Sequence, residues 1–140
     1  MASQVKANDR GFLSKDVLVS DLISLRGDIH HLFPKDYLSK KGLDRSKYNQ
    51  IANYVYMQSE VNIKVGNKPP KDYFELIKTQ IIEDNKLMSG ISNEEELLDN
   101  LKMNCVPTEI MEMNIDDYQD FLTLRRKLMA QKIKEYYNKL

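Results

Sequence analysis

A chain of 140 residues with 41% apolar and 30% charged residues, five glycines and four prolines, and no net charge reads as one soluble, helix-leaning domain. That composition excludes collagen, disorder and a disulfide scaffold, and a domain this long buries about 68–70% of its unfolded surface, so it needs no metal or crosslink merely to fold. The single cysteine, Cys105, has no internal disulfide partner, and no run approaches the roughly 18 apolar residues of a membrane span, so the expectation is a cytoplasmic protein without a membrane.

Residues 1–11 lack apolar periodicity and are expected as an extended N-terminal arm ahead of a single domain over 12–140. Val17, Leu18, Leu22 and Ile23 predict a short helix with Ser20 as N-cap and Gly27 as its stop. Asp28-Ile29-His30-His31-Leu32-Phe33-Pro34 is stopped too quickly by proline to be helical and reads as a strand entering a turn. Pro34 opens a short helix ended by Gly42, and Asp44 caps another over 45–52. Tyr54-Val55-Tyr56-Met57 suits a second strand.

Residues 59–65 predict a turn or two of helix closed by Gly66. Pro69-Pro70 begins a helix with Tyr73, Phe74, Ile77, Ile81 and Ile82 at helical spacing. Ser92 and Glu95 form a capping-box pattern before Leu97, Leu98 and Leu101. A short helix runs from Pro107 to Met111. The last begins at Asp116 or Asp117 and carries the stripe Tyr118, Phe121, Leu122, Leu128, Met129, Ile133 and Tyr136. The expected fold class is α+β, mostly α, with a chemistry-bearing block at 28–70 and a helical part at 71–140.

The zero net charge conceals unequal segments. Residues 26–72 hold nine basic groups against five acidic, residues 73–121 three against twelve, and residues 122–140 six against one. A polyanion is attracted to the first and last of these and repelled by the middle one, because screening confines such fields to about 8–10 Å.

The only two histidines are adjacent, at 30 and 31. Neighbours in a strand point to opposite faces, so a division of labour is expected: one imidazole holds a metal while the other, with a reference pKa near 6.5, takes a proton. Asp28 lies two residues before His30, on the same strand face, and is a candidate to orient that imidazole.

The spacing that follows carries a resemblance. Asp28-Ile29-His30-His31, Asn53, Asn62 and the run Lys64, Gly66, Asn67, Lys68 together resemble HNH endonucleases of the ββα-metal type. That resemblance implies a short β-hairpin and helix embedded in the helical domain, His30 as first metal ligand, His31 as general base, Asn53 as buttress of the loop bearing the base, and Asn62 as second ligand. The stretches QVKANDRGFLS, RGDIHHLFPKDYL, YNQIANYVYMQSEVNIKVGNKPPKDYF, NCVP and DFLTLRRKLMAQKIKEYY are similar to the C-terminal nuclease region of GmrSD-like bacterial restriction proteins. The family pairs that region with a ParB-like nucleotide-hydrolysing domain bearing a DGQQR motif, which does not occur here. The resemblance therefore implies a C-terminal piece of a longer protein that restricts foreign or phage DNA, and a naturally short copy fits the residues equally well.

Two neutral ligands, an imidazole and an amide, leave a divalent cation its full charge but bind it weakly, so Mg2+, Mn2+ or Ni2+ is the expected cofactor. Lys35, Arg45, Lys64 and Lys68 are candidates for phosphate contact with DNA. The rival expectation is a non-catalytic DNA-docking or assembly module that depends on the nucleotide-hydrolysing domain, favoured by the acidic stretch at 73–121.

Overall fold

The computed structural model describes residues 2–24 and 29–140. In chain order the described elements are α1 (Ala2–Lys6), α2 (Val19–Ser24), β1 (Ile29–His31), α3 (Lys35–Lys40), α4 (Arg45–Tyr48), a 3-10 turn (Ile51–Asn53) and β2 (Tyr54–Tyr56). There follow α5 (Ser59–Val65), α6 (Pro70–Glu83), α7 (Glu94–Met103), two 3-10 turns (Thr108–Glu112 and Ile115–Asp117) and α8 (Tyr118–Asn138). The architecture is mostly helical around one antiparallel sheet of β1 and β2, with Ile29 opposite Tyr56, His30 opposite Val55 and His31 opposite Tyr54.

Three-residue strands are too short to persist alone. The chain on either side of them anchors the pair, since Leu32, Phe33, Ala52, Asn53 and Met57 are all buried. Phe33 packs between Phe121 and Tyr118 of α8, with ring centroids 4.9 and 5.1 Å away. α6 starts with Pro70 in its first turn and buries Tyr73, Phe74, Ile77 and Gln80, one apolar stripe broken by an amide. Gln80 uses that amide to hold the loop after the helix, accepting from the N–H groups of Met88 and Ser89 and donating to the Ile91 carbonyl.

Several expectations change. The described part of the expected arm is not extended: residues 2–6 are helical, Asp9 is buried against Lys132, and the Phe12 N–H reaches the Tyr56 carbonyl at 2.8 Å beside β2. Asn100 fixes this segment by accepting from Leu13 N–H at 2.7 Å and donating to the carbonyls of Gly11 and Ser14. Ser20 lies inside α2 rather than capping it, and Gly27 falls outside the described residues.

The helix expected over 45–52 stops at Tyr48, because residues 49–53 turn to serve the hairpin. The cap before α7 is Asn93, whose side chain accepts from Glu96 N–H at 2.9 Å, while Ser92 instead bonds the Glu96 carboxylate. In α8 the fully buried stripe ends at Arg125, Met129 beyond it is only partly buried against the core, and Leu128 and Ile133 are exposed.

Candidate functional site

His30 and His31 close β1, and Pro34 ends the strand by opening α3. Alternation along a strand separates neighbouring side chains, yet both histidines line one cleft, which lies at the strand's end, with Nε2 of His30 buried. The cleft has a volume of about 320 Å3, and Lys35, Asp36, Asn62 and Asn67 also line it. Asn62 arrives on α5, which the sequence bounds correctly at Ser59–Val65. Gly66 ends that helix at φ 55° and ψ −131°, a conformation open essentially only to glycine, and so turns Asn67 towards the cleft.

Asn53 is wholly buried and satisfies the backbone that leaves β1. Its Oδ1 accepts from Phe33 N–H at 2.8 Å, and its Nδ2 donates to the carbonyls of Phe33 and Tyr48, both at 3.1 Å. Its own carbonyl accepts from Leu32 N–H at 2.8 Å, and the Leu32 carbonyl accepts from the Tyr73 hydroxyl at the same distance. Every backbone polar group of Leu32 and Phe33 is thereby paired inside the core, which fixes where the preceding histidines stand.

Arg125 reinforces this arrangement from α8. It is buried and donates to the carbonyls of Ala52 and Tyr54, which flank Asn53, and to that of Asn104. Burial pulls its pKa down to about 10, so the guanidinium is still charged at neutral pH.

Asn49 reaches across from the end of α4. Its Oδ1 lies 2.9 Å from His31 Nε2. An amide oxygen only accepts, so Nε2 carries the proton and, in the neutral ring, Nδ1 keeps the lone pair. Tyr54 at 4.9 Å and Tyr48 at 6.0 Å between centroids restrict the ring's rotation.

The residues lining the cleft include two histidines, two asparagines and Asp36, side chains of the types that suit a hard or borderline divalent cation. Among the described residues no three His, Cys, Asp or Glu side chains converge as a ligand set. Asp28, expected to orient His30, falls outside the described residues. Of the four expected phosphate contacts, Lys35 lines the cleft. Lys64 is exposed on α5, Arg45 is exposed at the start of α4, and Lys68 folds back to donate to the Lys64 carbonyl at 3.2 Å.

Sequence reasoning misses Asn49 and Asp36, and it quotes Asn67 in the motif run without giving it a role. The one signal for Asn49 is its place four residues before Asn53 in YNQIAN, which reads as ordinary helix until the 3-10 turn is seen. Asp36 and Asn67 closely follow motif residues and carry no periodicity to set them apart. Cys105 is buried, and burial pushes its thiol pKa up.

No protein-family model matches the chain, and no solved structure does. Over 119 residues it is 30% identical to the uncharacterized protein MJ0686 of Methanocaldococcus jannaschii, a match taking in 76% of this chain and 20% of that protein. The chain thus spans about a fifth of the length of the relative it matches. Among the described residues, no helix is long and apolar enough to cross a membrane.

Proposed function

We propose that the chain is a metal-dependent, HNH-type DNA endonuclease domain of the ββα-metal kind, acting in restriction of foreign DNA. The observation that carries this reading is the meeting of His30, His31 and Asn62 around one cleft whose supporting backbone is locked by the buried Asn53.

His30 and Asn62 would hold the divalent ion, and Asp36 and Asn67 line the same cleft. When bound, the ion supplies positive charge to the phosphate oxygen and the leaving oxygen. His31 has the form a general base needs. Its Nε2–H is committed to Asn49, so Nδ1 accepts a proton from the attacking water. The water oxygen bonds to phosphorus, the bond from phosphorus to the 3′ oxygen breaks, that oxygen takes a proton from a solvent water, and the products are a 3′ hydroxyl and a 5′ phosphate. Lys35 at the cleft edge counters the charge of the diester.

Incubating supercoiled plasmid with the chain and Mn2+ tests this reading. Nicking that chelator stops supports it. Tight DNA binding with no cutting under any divalent ion favours the docking-module reading instead.

A further inference from the structure

Beyond the cleft, α8 has two unlike faces. Arg125, Met129, Lys132 and Tyr136 face inward: Arg125 is buried, Met129 packs on the core, Lys132 pairs with Asp9, and Lys6 lies over the Tyr136 ring at 5.9 Å. Arg126, Ala130, Ile133, Lys134 and Tyr137 follow one another at helical spacing along a flank about 100° round from that face, with Lys127 beside them, and each of these side chains is exposed. No carboxylate stands on this second face. Glu135, the sole acid after Asp120, accepts from Gln131 on another side of the helix.

The face begins at the candidate site. Arg126 donates to Gln50 Oε1 at 3.1 Å, and Gln50 is the neighbour of Asn49, which holds His31. From Arg126 to Tyr137 the helix rises about 17 Å, a distance over which one DNA strand presents about five phosphates. None of Arg126, Lys127 and Lys134 has a carboxylate partner among the described residues.

We infer that this outer face of α8 is a track for the backbone of duplex DNA flanking the cleft. This extends the endonuclease reading and rests on it for the nature of the ligand. A protein partner is the poorer fit, because lysine is depleted from the centres of protein interfaces, whereas Arg, Lys and Tyr donating to phosphates is the common pattern on DNA. Ile133 lies between the cations and Tyr137 just beyond Lys134, where a sugar edge and a phosphate meet them.

The test is binding of a short fluorescent DNA duplex by the full chain without metal, over a range of salt. Combined Arg126→Ala, Lys127→Ala and Lys134→Ala substitution is expected to weaken binding about tenfold or more and to flatten the salt dependence by about 0.9 for each phosphate no longer neutralised. Lys134→Glu alone, at an exposed position, gives the same direction if the triple variant folds poorly. Unchanged affinity and salt slope overturn the track and leave the face to a protein partner. Hydrolysis of bis(p-nitrophenyl) phosphate by the unaltered chain reads the catalytic proposal separately. Its absence defeats that proposal without touching the binding result.

Discussion

Asn53 holds Phe33 by both its backbone polar groups, accepting from the N–H at 2.8 Å and donating to the carbonyl at 3.1 Å, although 20 residues separate them. A fully buried side-chain amide can remain in a core only when its own polar atoms are satisfied, and here it satisfies a backbone that no strand pairing reaches. The two residues therefore set the position of everything just before Phe33, including His30 and His31.

Asn53→Ala is expected to destabilise the fold by about 3 kcal/mol, because it strips partners from Phe33 and from the Tyr48 carbonyl at once. In a chain of this size that lowers the melting temperature by roughly 10 °C. Calorimetry reads the loss directly, and cleavage by the folded fraction should fall as well. An unchanged melting temperature with full activity contradicts the buttress role.

Asn49→Ala removes the acceptor for His31 Nε2 without opening the core, since Asn49 is exposed. kcat should fall about tenfold or more while KM for plasmid stays within about twofold, the pattern of a group that acts only in the transition state. Asn49→Asp keeps an acceptor at the same place and is expected to recover much of the loss. Equal loss in both variants speaks against orientation of the ring.

Asn62→Ala should raise the concentration of Mn2+ needed for half-maximal cleavage by about tenfold or more before it alters the fold, as Asn62 is only half-buried. Dialysis against chelator should abolish cleavage in the unaltered chain, and added Mn2+ should restore it. A metal response identical in variant and parent removes Asn62 from the site.

Glu96 carries a pH-dependent part of the stability of α7. The Ser92 N–H, then the Ser92 hydroxyl and Lys15, hold its carboxyl below the ordinary value of 4.5. A carboxyl lowered on folding stabilises the protein above its unfolded value, and that contribution is lost as pH falls through the lower folded value. Glu96→Gln should therefore be less stable than the parent at neutral pH and should lose less on acidification below 4.5. Thermal melts across that range decide the matter, and parallel curves would count against the contact.

The hairpin and α5 are legible in the sequence because each rests on short-range chemistry: a proline stop at Pro34, β-prone aromatics at Tyr54 and Tyr56, and a glycine at position 66. What stays hidden depends on contacts distant in sequence. The first residues read as an arm because α1 is only five residues long and the burial of Phe12 and Leu13 comes from α6 and α7, which no local pattern announces. Arg125 looks like one more surface cation in a basic helix, yet it is buried on three carbonyls that only the folded chain brings near. His30, His31 and Asn62 enter as candidates through the family resemblance, while the grip of Asn49 on His31 spans 18 residues and needs the turn at Ile51–Asn53 to exist.

The central claim is that one imidazole takes the proton while the groups beside it hold the ion. Plasmid nicking by His31→Ala in saturating Mn2+, with melting temperature and DNA affinity measured on the same preparation, tests it most directly. The account predicts that nicking falls by at least about a hundredfold while folding and binding stay near those of the parent. Nicking at the parental rate by a folded, DNA-binding variant contradicts it.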